Sequence, residues 1–216
     1  MNLEVARRQM IEQQVRAWEV LDERVLGALA QVRRELFVPE AFRSLAFADT
    51  QIPIGHGQAM LAPKVEGRFL QALELTPADD VLEIGTGSGF FAACLARLGR
   101  GVRSVEILAE LAEFANENLR ASGVSGVQVE ILDAMTLDDS RRYDAIAVTG
   151  SLPVYDPRFE RALEIGGRMV IVVGEAPVME ARLIRRASET QWVQESLFET
   201  VIEPLTHAPQ PSRFLF

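Results

Sequence analysis

The sequence predicts an α/β fold built on a doubly wound, mostly parallel sheet with an N-terminal helical extension. Three observations carry this prediction. Short apolar runs alternate with helix-like stretches from Val81 onward, a glycine-rich turn follows the first of these runs, and residues 1–48 have helical spacing of their apolar positions. Repeated strand–helix units form parallel sheets because each helix carries the chain back across one face of the sheet.

The N-terminal part is predicted to be helical and then irregular. Within residues 1–48, Asp22 precedes an amphipathic run and is expected to cap a helix that ends near Arg34, and Pro39 breaks the segment that follows. Residues 49–63 hold two prolines and two glycines without helical or strand periodicity, so we expect an irregular loop there.

The rest of the chain is predicted to alternate between strands and helices. Strands are expected at 81–85, 102–107, 127–132, 143–149 and 168–173. Helices are expected at 64–75, 90–98, 109–122 and near 157–164. The segments 196–201 and 212–216 are expected to add antiparallel edge strands. We expect one integrated domain, in which residues 1–63 pack on a core formed by residues 64–216.

The charge balance argues against nucleic acid as a partner. The formal net charge is −9 and the sequence pI is about 4.9, whereas nucleic-acid affinity depends on clustered Lys and Arg. The arginine pairs at 33–34, 141–142 and 185–186 stand among acidic residues and are expected to be solvated surface. No run approaches the roughly 20 apolar residues that span a bilayer, so no membrane partner is expected.

Cysteine and histidine usage indicates a cytoplasmic protein without a metal centre. Cys94 is the single cysteine and cannot form an intramolecular disulfide, which fits a reducing compartment. His56 and His207 are the two imidazoles and lie far apart in sequence. We therefore expect no metal site and ordinary polar roles for both histidines.

The glycine-rich turn is the candidate cofactor site. Glu83, Gly85, Gly87 and Gly89 fall at the end of a strand and just before a helix, where glycines let a ligand approach the backbone. Glu106 closes the next strand, where a carboxylate can bind ribose hydroxyls. Asp133 follows a third strand and can accept a hydrogen bond from an adenine amine.

The third glycine of the turn comes one residue earlier than in the dinucleotide fingerprint G-x-G-x-x-G, and Glu83 stands two residues before the first glycine. This G-x-G-x-G form resembles motif I of the class I S-adenosylmethionine methyltransferases. The segments VRRELFVPEAFRSLAFADTQIPIGHGQ, VLEIGTGSGF, RYDAIAVTG and LEIGGRMVIVVG resemble the protein-L-isoaspartate O-methyltransferase family over most of the chain.

This resemblance implies a Rossmann-like fold, S-adenosyl-L-methionine as cofactor, and methyl transfer to a carboxylate at damaged aspartyl sites of a protein or peptide. It also implies that Gly85, Gly87, Gly89, Glu106 and Asp133 bind the cofactor. The loop between Pro53 and Pro63 would then cover the methyl group and the acceptor. Its candidate substrate residues are Ile54, Gly55, Gly57, Gln58, Ala59, Met60 and Leu61.

The chain departs from the family within this loop. The family continues T-I-S-x-P after G-Q, whereas this chain has Ala59, Met60, Leu61, Ala62 and Pro63. Leu61 stands at the position of the serine regarded as catalytic in the family, and leucine forms no side-chain hydrogen bond. The sequence therefore leaves the catalytic group unassigned. Three hypotheses stay open: an isoaspartyl methyltransferase with other donors, a relative with a changed acceptor such as a less polar molecule or a small carboxylate, or a cofactor-binding protein without turnover. The oligomeric state is not predicted.

Overall fold

The structure, a computed structural model, describes residues 2–137 and 141–211. The edge strand expected at 212–216 lies outside these residues. Five α-helices are described: α1 (Leu3–Met10), α2 (Glu23–Gln31), α3 (Pro63–Ala72), α4 (Phe90–Leu98) and α5 (Ala109–Ala121). The strands are β1 (Ile52–Gly55), β2 (Gln58–Met60), β3 (Asp80–Ile84), β4 (Gly101–Glu106), β5 (Val127–Ile131), β6 (Tyr143–Leu152), β7 (Leu163–Glu175), β8 (Val178–Arg186) and β9 (Trp192–Glu199).

Seven of these strands form one sheet in the order β5-β4-β3-β6-β7-β8-β9. The five strands from β5 to β7 are parallel, and β8 runs antiparallel to both of its neighbours. The predicted doubly wound, mostly parallel sheet is therefore confirmed. The chain leaves β3 first toward β4 and β5 and later returns to its other side at β6, so a topological switch point lies between β3 and β6.

The N-terminal extension shares its hydrophobic core with the sheet layer. Val15 and Leu29 of the extension belong to the same buried cluster as Phe69, Leu95 and Val170. Asp22 caps α2, since its side chain accepts a hydrogen bond from the Arg24 amide at 2.8 Å. The helix ends at Gln31 and not near Arg34, because Val32 is already extended (φ −76°, ψ 118°).

The irregular loop expected at 49–63 is instead a short antiparallel hairpin. Ile52 pairs with Met60, and Pro53 pairs with Ala59. His56 has a φ of 54° and lies between two glycines that also have positive φ, a backbone region that glycine adopts readily. Strands of four and three residues are too short to show an alternating pattern, which is why the sequence predicted a loop.

Two other predictions in the second half were wrong. The helix expected near 157–164 is only one 3₁₀ turn, Glu160–Ala162, because Leu163 already pairs with Tyr143 in the sheet. A strand that the sequence pattern did not predict, β8, lies between β7 and β9 in the sheet. The edge segment expected at 196–201 overlaps β9, which begins earlier, at Trp192, and ends at Glu199. Each helix that the structure describes is too short or too polar to span a bilayer.

Candidate functional site

A cavity lies at the carboxyl ends of β3, β4 and β6, beside the switch point of the sheet. The β1–β2 hairpin, the first turn of α3 and a C-terminal segment complete its walls. The lining residues are Ile54, Gln58, Ala59, Met60, Leu61, Glu66, Ile84, Gly85, Thr86, Gly87, Ser88, Phe91, Val105, Glu106, Ile107, Leu108, Leu111, Leu132, Asp133, Ala134, Thr149, Gly150, Pro204, Leu205 and Thr206. Ligands of open α/β sheets bind in this position, outside the carboxyl ends of the strands.

The glycine turn between β3 and α4 leaves no room for side chains. Gly85 has a φ of +95°, and a Cβ there would lie 2.5 Å from Thr149 Oγ1. Thr149 Oγ1 donates to the carbonyls of Gly85 and Ile84 and so links β6 to the turn. Gly89 has a φ of +84°, and a Cβ there would lie 3.2 Å from the Ala115 side chain. The turn therefore requires glycine for packing as well as for backbone conformation.

Glu106 is held in a fixed orientation on the cavity wall. Its Oε2 accepts a hydrogen bond from the Gly87 amide at 2.9 Å, and its Oε1 accepts one from the Leu108 amide at 3.1 Å. The residue is 6% exposed and lines the cavity. Each carboxylate oxygen keeps a second lone pair, so Glu106 can still accept hydrogen bonds from a ligand.

Glu83 lies beneath the turn and does not line the cavity. Ser104 donates a hydrogen bond to its Oε2, and the Ser104 hydroxyl lies 2.6 Å from the Thr86 hydroxyl. Its Oε1 is enclosed without a hydrogen-bond partner. Burial, opposed by the Ser104 hydrogen bond and reinforced by Glu106 and Glu66, raises the pKa of Glu83 to about 8.

Asp133 joins the cavity to the C-terminal segment. Its Oδ1 accepts a hydrogen bond from the Met135 amide at 2.8 Å, and its Oδ2 lies 2.7 Å from His207 Nδ1. Burial acts to raise the pKa of Asp133, but the hydrogen bonds from His207 and Met135 outweigh it and hold that pKa below its usual range. His207 is thus a direct neighbour of a candidate cofactor residue.

The hairpin places part of the candidate substrate loop on the cavity. Ile54, Gln58, Ala59, Met60 and Leu61 line it, whereas the two glycines of the turn do not. Leu61 and Met60 are buried, and the Ala59 side chain offers no hydrogen-bonding group. The hairpin wall is therefore mainly apolar.

The arginine pair at 33–34 was expected at the surface, and this is wrong for Arg34, which is fully buried. Its guanidinium pairs with Glu66 and donates to the carbonyls of Ala46 and Leu61 at 2.9 and 2.8 Å. It also lies 4.6 Å from the centroid of the Phe90 ring. Arg34 therefore holds the end of the hairpin against the start of α4.

Glu66 is a cavity residue that the sequence analysis missed. It is 2% exposed and lines the cavity from the first turn of α3. Burial raises the pKa of its carboxyl even though Arg34 opposes the shift. The sequence signal was available, because Glu66 stands three and four residues before buried Phe69 and Leu70 and so belongs to the apolar face of the helix.

The C-terminal segment 202–208 lies along the end of β6 and covers one side of the cavity. The Ser151 amide donates to the Glu203 carbonyl, and the Leu205 amide donates to the Ser151 carbonyl, both at 2.9 Å. The Ser151 hydroxyl adds a bond to the Ile202 carbonyl at 3.1 Å. We call this segment the C-terminal strap.

Comparison with known sequences gives one consistent family. The family described as protein-L-isoaspartate(D-aspartate) O-methyltransferase matches residues 5–210. A protein-L-isoaspartate O-methyltransferase from Aeropyrum pernix is 39% identical over 93% of this chain and 79% of its own length. A second one, from Pelobacter propionicus, is also 39% identical, over 96% of this chain and 93% of its own length.

Comparison with solved structures gives the same fold. A protein-L-isoaspartate O-methyltransferase from Plasmodium falciparum, solved with S-adenosyl-L-homocysteine, superposes with a TM-score of 0.80 at 18% identity, over 95% of this chain and 99% of that chain. Another protein-L-isoaspartate O-methyltransferase structure gives a TM-score of 0.79 at 22% identity, over 92% of this chain and 65% of that chain.

Proposed function

The chain belongs to the protein-L-isoaspartate(D-aspartate) O-methyltransferase family, an S-adenosylmethionine-dependent class of enzymes, and we propose that it methylates the carboxylate of isoaspartyl or D-aspartyl residues in damaged proteins or peptides. The observation that carries the proposal is the meeting of the glycine turn, Glu106 and the family hairpin at one cavity. Cofactor and acceptor groups would thus share one enclosure.

The residues around the turn fit a nucleoside cofactor. In the proposal, Glu106 accepts hydrogen bonds from the ribose hydroxyls, and Asp133 accepts one from the adenine amine. Gly85, Gly87 and Gly89 let the cofactor approach the backbone, where a Cβ on Gly87 would stand 3.2 Å from Ile54. Glu83 supports the turn from below through Ser104 and Thr86. When bound, S-adenosylmethionine supplies an electrophilic methyl group on a sulfonium.

Methyl transfer needs alignment more than acid–base catalysis. An acceptor carboxylate is already ionised near neutral pH, so its oxygen can form the new bond to the methyl carbon while the carbon–sulfur bond breaks and S-adenosylhomocysteine leaves. Alignment of reacting groups can contribute about 7–11 kcal/mol. The hairpin contributes by excluding water from the reacting groups, a role that Leu61 performs without a hydroxyl.

The apolar hairpin wall supports a second candidate. Ala59, Met60 and Leu61 offer no side-chain donor to a carboxylate, and a polar group buried without a partner loses about 1–3 kcal/mol. A family relative with a less polar acceptor would meet the same wall without this loss.

The remaining parts of the proposal concern organisation and location. Residues 1–63 would supply the acceptor side of the cavity, and residues 64–216 the cofactor side. The protein would act in the cytoplasm, a proposal supported by its one thiol, Cys94, which is buried in α4.

The test is methylation of an isoaspartyl peptide beside its normal aspartyl twin, with labelled S-adenosylmethionine and release of the methyl group by base. We expect label only on the isoaspartyl peptide. A folded Glu106→Ala variant, which lacks the proposed ribose contact, should bind S-adenosylhomocysteine at least tenfold more weakly. Cofactor binding without methylation of either peptide would favour the changed acceptor.

A further inference from the structure

Glu66 has one carboxylate oxygen without a hydrogen-bond donor among the described residues. Arg34 pairs with Oε2, and no described residue donates a hydrogen bond to Oε1. Within the described part of the chain, Oε1 is not one of the fully enclosed polar atoms that lack a partner, so it keeps some accessible surface. Glu66 lines the cavity and is only 2% exposed, so the cavity is the space from which a ligand could reach this oxygen.

The cavity has a marked charge asymmetry. Its described lining contains the carboxylates of Glu66, Glu106 and Asp133 and no Lys, Arg or His side chain. Glu106 and Asp133 are each held by backbone amides, and Asp133 also by His207. The second oxygen of Glu66 can therefore accept a hydrogen bond from a ligand, and a cationic donor would match its charge.

We propose that Glu66 binds the α-ammonium group of the methionine end of S-adenosylmethionine, and so selects a cofactor that carries this amino group. The inference rests on the proposed cofactor site. It follows from the order of the strands, because Asp133 follows β5, Glu106 closes β4 and the glycine turn follows β3, and these three strands are adjacent. With adenine at Asp133 and ribose at Glu106, the methionine end would lie at the glycine turn.

Glu66 lies on the side of the cavity where the glycine turn leads into α4, the place expected for the methionine end. Its partner Arg34 packs on Phe90, the first residue of α4, and the adjoining Phe91 lines the cavity with Glu66. The start of a helix favours negative charge, so it suits the carboxylate of the methionine end. The ammonium group then needs an anionic partner, and Glu66 is the carboxylate on that side of the cavity.

Arg34 extends the consequence to the hairpin. The same guanidinium that pairs with Glu66 donates to the Leu61 carbonyl. An ammonium group on Glu66 would therefore order Glu66 and, through Arg34, the Leu61 carbonyl in the wall that faces the acceptor. A ligand without the amino group would leave this contact unmade.

The test compares two ligands that differ in the methionine end. S-Adenosylhomocysteine carries the ammonium group, whereas 5′-methylthioadenosine has the same adenosine and sulfur without it. We expect Glu66→Gln to weaken S-adenosylhomocysteine binding at least tenfold and to leave methylthioadenosine binding within twofold, both measured by calorimetry. The glutamine retains an oxygen for Arg34, and Glu195→Gln, at an exposed position on β9, controls for the lost charge.

Should Glu66→Gln be poorly folded, the double variant Arg34→Met/Glu66→Met replaces the whole pair by apolar side chains, a change that buried ion pairs often tolerate. It should lose the same selectivity between the two ligands. Equal loss for both ligands, or no loss for S-adenosylhomocysteine, would overturn the assignment. So would an unchanged cofactor affinity with a raised KM for the peptide, which would move Glu66 to the acceptor side. If the native protein binds neither ligand, the cofactor site itself fails, and with it the proposed function.

Discussion

At the scale of single residues, the site depends on carboxylates in three different environments. Glu106 is fixed by two amides, Glu66 shares its charge with Arg34, and Glu83 is enclosed with one oxygen unpaired. The positions of Glu83 and Glu106 in the fold could be predicted because each belongs to a strand that leads into a turn. Their different surroundings could not, since these depend on hydroxyls and amides that only the folded sheet brings together.

Glu83 predicts a pH dependence of stability. Its pKa is about 8 in the folded protein against a reference value of 4.5, so the folded state holds the proton more tightly and the stabilisation is lost as pH rises from about 4.5 to 8. Glu83→Gln removes this titration. Between about pH 6 and pH 9, the variant should gain about 2–3 kcal/mol of unfolding free energy relative to the native protein.

Urea denaturation at several pH values measures this difference. Glu195→Gln, on the exposed face of β9, should run parallel to the native protein over the same range. Parallel curves for Glu83→Gln as well would show that the Glu83 carboxyl is ionised in the folded state near neutral pH.

At the scale of elements, the regular βα units were predictable and the irregular ones were not. α4 occupies the predicted residues 90–98, because an apolar helix directly after a glycine turn has an unambiguous start. The β1–β2 hairpin was read as a loop, and residues 157–164 were read as a helix. The hairpin depends on turn residues with positive φ, and the end of the 157–164 segment depends on the pairing of Leu163 with Tyr143. Local periodicity reports neither.

The hairpin carries a prediction about the acceptor. Ala59→Thr with Leu61→Ser restores two hydroxyls beside the cavity and should raise kcat/KM on an isoaspartyl peptide about fivefold or more, because a donor near the acceptor oxygen acts on the transition state. Cofactor affinity should stay unchanged. Loss of the buried Leu61 side chain should cost about 2–4 kcal/mol of stability.

Ala59→Thr with Leu61→Ala is the matched control, since it opens the same space without the serine hydroxyl. Equal gains in both double variants would show that the serine hydroxyl is not the cause, and would leave the space at position 61 or the threonine hydroxyl as its source. Slower methylation in the serine variant than in the native protein would show that Leu61 suits the chemistry as it stands.

At the scale of the whole molecule, the cavity is assembled from three distant parts of the chain: the hairpin with the first turn of α3, the strand ends from β3 to β6, and the C-terminal strap. The middle part was predictable from its motif. The strap was not, because Ser151 holds the backbone of residues 202–205 through its amide, carbonyl and hydroxyl groups, and such bonds leave no trace in periodicity. Since the extension and the sheet share one core, a ligand that all three parts contact should stabilise the protein as a unit.

Gly150→Ala tests whether the strap holds the cofactor in place. A Cβ on Gly150 would lie 2.6 Å from Leu205 Cδ2 and 3.3 Å from the Leu205 amide nitrogen, so the Leu205 side chain must shift and the strap backbone must give way slightly. We expect S-adenosylhomocysteine to bind about tenfold more weakly and to dissociate faster, with a stability loss of about 1–3 kcal/mol. Gly27→Ala is the matched control, because its nearest neighbour is Gln31 Nε2 at 3.8 Å and a helical alanine should gain up to about 1 kcal/mol. Stopped-flow dissociation and calorimetry measure both variants. Native-like ligand dissociation in a folded Gly150→Ala protein would mean that the strap lines the cavity without retaining what binds there.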